Sequence, residues 1–335
     1  MALNTSYIDF LNNISNDLNR YFGIFVFLFG LIGNILNILV LSQRPLRSNP
    51  CALLFLASSV SNLIAIVSGL FTRILSGWNL DPTSTIISLC KIRIFISFPS
   101  RTAAYWFVVL ATLDRWLLTS IYANYRQMST IKNAQRSIII TIIFSMILFI
   151  YAPICYQIGL TNVPLQCSGN TKLCRAFVDM TYASITISLP IVIMNIFSFK
   201  TISNIRHMKK RIRPLQQYNN KRIVTRINIA TREWKTTDQR LLRMLFIQII
   251  LFTLFSFPIV LQRLYATVTI NNQKSTLQTT IDNFIFSFVL LLSFLANGIP
   301  FYVYTLTGGK VFRKALFNVI YCKIFHFHSV NDVHH

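Results

Sequence analysis

The stretch Cys90–Trp116, CKIRIFISFPSRTAAYWFVVLATLDRW, begins at a cysteine, continues as a mainly apolar run and ends on an Asp-Arg pair. Arg115 lies 25 residues after Cys90, which is roughly 37 Å of helix, enough to cross a bilayer and part of its interface. A charged residue costs about 2.5–3.5 kcal/mol at the middle of a membrane helix and less near its end. The stretch therefore predicts a membrane-spanning helix with Cys90 on one side and Asp114-Arg115 on the other.

The composition of the chain supports a membrane protein. Hydrophobic residues make up 53% of the 335 residues and charged residues only 12%, whereas a soluble domain carries roughly 25% charged residues. The formal net charge of +23 could indicate a nucleic-acid-binding protein. However, the basic residues cluster between apolar runs, where they report membrane orientation. We therefore expect no nucleic-acid partner.

Seven apolar runs divide the chain, and each is long enough to cross roughly 30 Å of hydrocarbon as a helix. None of them alternates like a barrel strand, so the sequence predicts an all-α bundle of seven transmembrane helices. The runs are Tyr21–Ser42, Cys51–Leu75, Leu89–Thr119, Ser137–Ile158, Met180–Ile205, Leu241–Thr267 and Ile281–Leu306.

An eighth segment, Gly309–Cys322, has apolar residues at helical spacing with basic residues between them. This pattern is typical of an amphipathic helix lying on the membrane surface. Cys322 at its end is a candidate for palmitoylation, with an unmodified thiol as the alternative. We divide the chain into an extracellular segment (1–20), a seven-helix domain (21–308), and an amphipathic helix with a cytoplasmic tail (309–335).

Loop charge predicts the orientation of the bundle. Lys200–Arg243 holds thirteen Lys or Arg residues against only Glu233 and Asp238, and basic loops face the cytoplasm. The N-terminus is then extracellular. Two glycosylation sequons, at Asn4 and Asn13, precede the first run and agree with this orientation. We expect a multi-pass protein of the plasma membrane.

Three cysteines, Cys90, Cys167 and Cys174, fall on the predicted outer side, where disulfides persist. Cys90 is expected to pair with one of the other two. Cys174 is preferred over Cys167 because it lies just before the fifth run and gives the shorter tether. Cys51 and Cys155, which lie in the apolar runs, are interpreted as small apolar packing residues.

Several motifs occur in order on these runs, and with them the chain resembles the rhodopsin-like, or class A, family of G protein-coupled receptors over about residues 21–322. The resemblance implies a receptor that binds an extracellular ligand, activates a heterotrimeric G protein and needs no cofactor. It also implies a resting lock between Arg115 and both Asp114 and Asp238. The residues assigned by this resemblance are Gly33-Asn34, Asn62, Cys90, Asp114-Arg115-Trp116, Pro190, Phe252, Pro258 and either Pro300 or Tyr304.

The chain departs from the family pattern at several activation positions. Trp116 replaces the usual Tyr, Asn62 replaces an Asp that helps to bind sodium in relatives, and Ser256 replaces a Trp. In the seventh run either Pro300 keeps the family proline, or Tyr304 keeps the family tyrosine and a Phe replaces the proline. The distance from Tyr304 to the amphipathic segment favours the second alignment. These changes keep a non-signalling, receptor-like scaffold as an alternative.

Two absences narrow the ligand that the resemblance implies. The seventh run contains no Lys to form a Schiff base with retinal, and Ser97 stands where amine receptors carry an Asp. The segments Gln239–Leu245 and Thr201–Arg206 look similar to invertebrate neuropeptide-type receptors. We therefore expect a peptide ligand.

Arg101 is the residue within a run that most needs a partner. It lies fourteen residues before Arg115, which places the two about 40° apart on the helix, so if Arg115 faces the bundle interior, Arg101 does as well. A buried guanidinium must be paired or solvated. Arg101 either forms a structural pair with Asp179 or Asp282, or contacts the ligand.

Two further arginines, Arg263 and Arg73, lie near the outer ends of the sixth and second runs. Together they favour a ligand with acidic or carbonyl groups, although snorkelling alone would explain Arg73. The predicted ligand-binding residues are Arg101, Arg263, Ser97, Arg73 and Asp282.

The sequence shows no enzymatic constellation and no metal site. All five histidines lie on predicted loops or the tail, without a paired acid or cysteine at ligand spacing. A transporter or channel with a similar helix count is the alternative to a receptor. Transporters usually show repeat symmetry, and the prolines within these runs follow no such pattern.

Overall fold

Seven helices of the computed structural model are long and apolar enough to cross a membrane. The structure describes residues 2–158, 167–215, 221–307 and 312–318, with side chains over 6–44, 46–158, 167, 169–206, 243–307 and 312–318. The predicted seven-helix bundle is confirmed. The spans, numbered first to seventh below, are Ser6–Leu41, Pro50–Gly77, Ile87–Thr119, Ile131–Cys155, Lys172–Arg206, Arg243–Val268 and Thr276–Gly298.

Short segments of other geometry interrupt or join these helices. The π-helical segments are Leu18–Phe22, Ile66–Leu70 and Tyr182–Ser188, and Pro82–Ser84 is a 3₁₀ turn. Two strands, β1 (Tyr156–Ile158) and β2 (Cys167–Gly169), pair as an antiparallel hairpin. The α-helices are Ala2–Asp17, Gly23–Leu41, Arg44–Arg47, Pro50–Ala65, Phe71–Gly77, Ile87–Thr119, Ala123–Met128, Ile131–Leu148, Ala152–Cys155, Lys172–Thr181, Leu189–Leu215, Lys221–Val268, Thr276–Gly298 and Pro300–Thr307.

The first helix begins much earlier than the sequence predicted, so residues 2–20 are helical. Leu11 is buried, and Leu18, seven residues later on the same face, packs against the core between the first, second and seventh spans. Arg20 donates a 2.5 Å hydrogen bond from Nε to the Gly77 carbonyl. The sequence did not predict this extension, because polar residues interrupt the segment and leave no apolar run in it. Of the two sequon residues, Asn13 is exposed on this helix, and the side chain of Asn4 lies outside the described residues.

The third span forms the centre of the bundle. It packs against the second, fourth and fifth spans and is the most buried of the seven. The Ser58 hydroxyl donates a 3.0 Å hydrogen bond to the Ala104 carbonyl and ties it to the second span. The Thr102 and Thr186 hydroxyls lie 2.7 Å apart and tie it to the fifth. Polar side chains on the third span are therefore held at fixed positions inside the bundle.

The first and seventh spans cross at glycines. A Cβ added at Gly298 would lie 2.8 Å from the Gly30 Cα, and one added at Gly33 would lie 3.0 Å from the Gly298 carbonyl oxygen. Small residues allow such close backbone approach in membrane helices. Asn34 Nδ2 donates to the Gly30 carbonyl at 2.8 Å and to the Asn297 carbonyl at 3.1 Å. Gly33 therefore permits the close approach of the two spans, and Asn34 joins them by a hydrogen bond.

The seventh predicted run is two helices, because the helix Thr276–Gly298 ends before Pro300 and a new one starts there. Proline has no N–H to continue the ladder of hydrogen bonds and is favoured at the start of a helix. Tyr304, in the second helix, is buried, and its hydroxyl donates a 2.7 Å hydrogen bond to Gln248 Oε1. Tyr304 therefore connects the end of the seventh helix to the sixth span.

A short helix at residues 312–318 confirms part of the predicted amphipathic segment Gly309–Cys322. Phe312 and Ala315 are buried, whereas Arg313 and Lys314 are exposed. Gln43 Nε2 donates a 2.7 Å hydrogen bond to the Ala315 carbonyl, which anchors this helix to the turn after the first span. Cys322 lies outside the described residues, and its palmitoylation stays a prediction.

The disulfides differ from the expected pairing. Cys90 is bonded to Cys167, and Cys155 is bonded to Cys174. The preference for Cys174 as the partner of Cys90 is wrong, and so is the interpretation of Cys155 as a packing residue. Strand β2 returns alongside β1, with Cys167 opposite Ile158, so the hairpin brings Cys167 to Cys90. Strand pairing at this range could not be deduced from cysteine spacing.

The two disulfides should contribute unequally to stability. They join residues 77 and 19 positions apart, which in the chain-entropy model corresponds to about 4.5 and about 3 kcal/mol. We expect Cys90→Ala to abolish surface expression, and the double replacement Cys155→Ala/Cys174→Ala to lower the midpoint of thermal unfolding with a smaller loss of surface protein. Flow cytometry and thermal unfolding of purified protein measure these effects.

Cys51→Ala is the control for this pair of variants, because Cys51 is buried but lies outside both disulfides. Peptide mapping without reduction gives the connectivity directly. A Cys90 to Cys174 peptide pair, or labelling of Cys90 by a thiol reagent on unreduced cells, would contradict the assignment.

Candidate functional site

Arg101 is buried near the middle of the third span with 4% of its surface exposed. Its guanidinium Nη2 donates a 2.7 Å hydrogen bond to Ser293 Oγ on the seventh span. Its Cζ lies 4.3 Å from the Phe294 ring centroid and 5.5 Å from that of Tyr182. Among the described side chains no carboxylate forms an ion pair with Arg101, and its Nε has no hydrogen-bond partner. The aromatic rings offset part of the cost of burying this charge.

Neither acid proposed as a structural partner of Arg101 contacts it. Asp179 is 2% exposed and forms an ion pair with Arg263 from the sixth span, with Arg175 Nε a further 3.9 Å contact. Asp282 accepts a 2.5 Å hydrogen bond from Lys274 Nζ. Of the alternatives considered for Arg101, pairing with Asp179 or Asp282 is therefore wrong.

Three arginines alternate with two aromatic rings at the end of the bundle nearer Cys90. The Tyr182 ring lies 5.5 Å from Arg101 Cζ and 5.7 Å from Arg263 Cζ. The Phe286 ring lies 4.8 Å from Arg263 Cζ and 5.2 Å from Arg73 Cζ. We call these five residues the arginine–aromatic ladder. Only its central arginine, Arg263, has a carboxylate partner among the described residues.

Arg73 is therefore placed differently from the snorkelling side chain that the sequence suggested. Its guanidinium packs on Phe286, and its Nε is buried without a partner. Ser97, one helical turn before Arg101, donates a 2.9 Å hydrogen bond to Ser68. Asp282, one helical turn before Phe286, lines a cleft between the sixth and seventh spans and pairs with Lys274 rather than with an arginine of the ladder. The structure thus brings together three of the five predicted ligand residues.

The aromatic members of this site could not be identified from the sequence. Tyr182, Phe286 and Phe294 belong to a chain with 13 Tyr and 28 Phe, so residue type alone singles out none of them. Ser293 was missed for the same reason. Asp179 was noticed, because an acid inside an apolar run demands a partner, but its pairing with Arg263 depends on how the fifth and sixth spans pack.

Arg115 marks the opposite end of the bundle and is 2% exposed. Its Nη2 lies 3.5 Å from Asp114 Oδ2 and donates a 2.7 Å hydrogen bond to Asn49 Oδ1. Asp114 Oδ1 accepts a 2.5 Å hydrogen bond from the Ser129 hydroxyl. The predicted contact between Asp114 and Arg115 is present. The side chain of Asp238, its second predicted partner, lies outside the described residues.

The other predicted activation residues lie along the path between these two ends. The Phe252 ring meets that of Tyr105 edge-on at 4.4 Å, six residues before Pro258 in the sixth span. Asn62 is buried, and its Oδ1 has no partner. At the Arg115 end, the Trp116 ring contacts Phe197 at 5.2 Å.

A cleft of about 250 Å³ opens beside Arg115 between the third, fifth and sixth spans. It is largely apolar, with Arg115 and Arg243 as its charged groups. Its lining residues include Thr112, Thr201 and Ile247. The cleft gives a partner on this face direct access to the neighbourhood of Arg115.

The amino-acid sequence matches one known protein family. Residues 33–304, from the glycine at the first crossing to Tyr304, match the 7 transmembrane receptor (rhodopsin family). The chain belongs to that family. The match covers well over half of the receptor, including both sites described above. No curated protein matched the receptor.

Membership of this family establishes the class of activity. The receptor is a multi-pass membrane protein that couples an extracellular ligand to a heterotrimeric G protein, and it is not an enzyme. The transporter and channel alternatives are thereby set aside. The match ends at Tyr304, and the alignment in which Tyr304 keeps the family tyrosine and Phe301 replaces the proline stays a prediction.

Proposed function

We propose that the receptor recognises an extracellular peptide through an anionic group that binds Arg101, and that it transmits the signal to a G protein at Arg115. The observation that carries this proposal is the buried Arg101 guanidinium, which has no carboxylate partner among the described residues. Burying a charge without an opposite charge is costly. A ligand carboxylate would remove that cost on binding, so anionic ligands are favoured.

The orientation of the receptor follows the charge of its loops. Thirteen basic residues in Lys200–Arg243 favour a cytoplasmic Arg115 end. The Cys90 end then faces outward, where its two disulfides would persist and where Asn13, together with Asn4, is available for glycosylation. The domain division and a plasma-membrane location are part of this proposal.

The arginine–aromatic ladder provides the recognition surface. Arg101 and Arg73, its two ends, have no acidic partner among the described residues, and Arg263 between them is neutralised by Asp179. A peptide offers anionic groups at more than one position, as a free carboxyl terminus and acidic side chains. It also offers apolar groups for Tyr182 and Phe286. Ser97, one helical turn before Arg101, would contact the same ligand, and Asp282 would contact it from the cleft between the sixth and seventh spans.

The proposed signalling path connects the ladder with the cytoplasmic face. The residues assigned to it are Asn62, Asp114, Arg115, Trp116, Asp238, Phe252, Pro258, Pro300 and Tyr304. The Tyr304 hydrogen bond to Gln248 supports the path because it joins the seventh helix to the sixth span. Movement of either would therefore alter the cleft beside Arg115.

The test is a peptide screen read by G protein activation in cells, using a panel of Gα subunits. Each active peptide is compared with its carboxyl-terminal amide and with Asp→Asn and Glu→Gln variants. We expect at least one of these neutral peptides to lose potency by well over tenfold, the size of a lost contact to a buried charge. Equal potency of charged and neutral peptides would contradict the role of Arg101. Ligand binding without activation of any Gα would favour the non-signalling scaffold.

A further inference from the structure

Four residues at and around the inner end of the arginine–aromatic ladder carry polar atoms with no hydrogen-bond partner among the described residues. These atoms are Arg101 Nε, the hydroxyls of Tyr105 and Tyr182, and Ser256 Oγ. The four residues, which we call the Arg101 cluster, are only 0% to 4% exposed, so bulk water does not satisfy them. Such groups are rare in folded proteins and call for an explanation, such as a bound water or ion.

The members of the Arg101 cluster lie together although they come from three spans. Tyr105 lies one helical turn after Arg101 on the same face of the third span. The Tyr182 ring of the fifth span lies 5.5 Å from Arg101 Cζ. The Tyr105 ring meets that of Phe252 in the sixth span at 4.4 Å. The third and sixth spans run in opposite directions, so Ser256, one turn after Phe252, lies at about the depth of Arg101.

The chemistry of this cluster favours an anion over a cation or a water molecule. The guanidinium is a permanent positive charge with N–H donors only, and each hydroxyl can donate a proton. Ser293, the hydrogen-bond partner of Arg101, gives its own proton to the Leu290 carbonyl at 2.6 Å and contributes no negative charge. A water molecule would satisfy the hydroxyls but leave the charge uncompensated, whereas a small anion satisfies both.

We propose that the ligand-free receptor binds one chloride ion at Arg101, with the three hydroxyls of the cluster as further donors. One guanidinium balances one negative charge, which favours a monovalent anion over phosphate or sulfate. The ladder carries three arginines against a single acid, Asp179, so this end of the bundle attracts anions toward the site. The ion stabilises the ligand-free receptor, and an anionic group of the ligand displaces it. Only the displacement rests on the proposed function.

Thermal unfolding of purified, ligand-free receptor tests the ion site. Sodium chloride is compared with sodium gluconate at constant ionic strength, because gluconate is a much larger anion. Chloride at ten times its dissociation constant should raise the midpoint by about 2–4 °C. Arg101→Gln should lose this rise because it removes the charge, whereas Arg101→Lys should keep part of it. Lys172→Ala, which removes an exposed cation outside the cluster, is the matched control and should respond as wild type does.

The hydroxyl donors provide a second test that keeps Arg101 in place and decides the matter if Arg101→Gln does not fold. Tyr182→Phe keeps the ring and removes one donor, so it should raise the chloride concentration needed for half of the effect by about tenfold. Tyr151→Phe is its control, because the Tyr151 ring packs on Phe177 at 4.9 Å, outside the cluster. An equal rise in wild type, Arg101→Gln and Tyr182→Phe would be a general salt effect and would overturn the proposal. The same midpoint in chloride and gluconate would also overturn it.

A peptide-binding assay distinguishes the ion site from the proposed function. If a peptide carboxylate takes the place of the ion, replacing chloride at ten times its dissociation constant by gluconate should strengthen peptide binding about tenfold. A chloride-dependent midpoint without this competition would support the ion site and count against peptide contact with Arg101. A peptide that needs its carboxylate, bound by a receptor whose midpoint ignores chloride, would overturn the ion site and leave the proposed function intact.

Discussion

Replacing Arg101 by Ala should weaken agonist potency by well over tenfold while ligand-free receptor still reaches the cell surface. Truncating an arginine that contacts an anionic group in a desolvated site costs about 2–5 kcal/mol, and each 1.4 kcal/mol is about tenfold in affinity. Arg101 is buried and has no carboxylate partner among the described residues. Its removal should therefore strand no internal acid, so the loss should fall on ligand binding rather than on folding.

The measurement is a concentration–response curve at matched surface expression. Lys172→Ala is the control, since Lys172 is an exposed cation at the start of the fifth span outside the ladder, and its loss should shift potency little. Ser293→Ala removes the partner that orients Arg101 and should give an intermediate shift. Unchanged potency in Arg101→Ala would move the binding site to the loop between the fourth and fifth spans. If Arg101→Ala fails to reach the surface, Arg101→Lys, which keeps the charge, decides between these outcomes.

The structure also changes the expectation for the other two arginines. From the sequence, both Arg263 and Arg73 are predicted ligand-binding residues, with snorkelling as the other explanation for Arg73. Arg263 forms an ion pair with Asp179, whereas Arg73 packs inside on Phe286 and has no acidic partner among the described residues. We now expect Arg73→Ala to weaken agonist potency at normal surface expression, and Arg263→Ala to act mainly on stability.

Removing Asp179 should destabilise the receptor by about 3–5 kcal/mol, because it leaves the Arg263 charge unpaired inside the bundle. The Asp179 side chain is 3% exposed and that of Arg263 13%, so water can replace the lost carboxylate only poorly. We expect Asp179→Ala to lose most of its surface expression and to unfold at a lower temperature. The neutral double variant Asp179→Asn/Arg263→Gln should recover much of the loss, because no buried charge remains.

Thermal unfolding of purified receptor gives the coupling energy of this pair through the two single variants and the double variant. Arg175→Ala is the control: Arg175 also faces Asp179, but at 3.9 Å and with a side chain that is 57% exposed. Exposed ion pairs contribute about 0–1 kcal/mol, so its effect should be small. A double variant as unstable as Asp179→Ala would show that the pair is not coupled.

The sequence by itself determined the fold. Each span is a run of apolar residues long enough for a bilayer, and because none of these runs alternates like a barrel strand, a helix is the element that satisfies its backbone in lipid. These are local properties, so the third span could be placed within two residues of its observed start, Ile87. The interior position of Arg101 also followed from helical periodicity, because Arg115 lies on nearly the same face.

Only the tertiary structure decided which side chains contact one another. The acids that pair with Arg263 and Lys274, the ring shared by Arg263 and Arg73, and the hairpin that brings Cys167 to Cys90 all join residues from different elements. Periodicity tells which face of a helix is buried but not which neighbour it meets or at what depth. Asn49 shows the same limit. It accepts a hydrogen bond from the Cys51 N–H within its own helix, which is a local feature, but it can accept the hydrogen bond from Arg115 only once the second and third spans pack together.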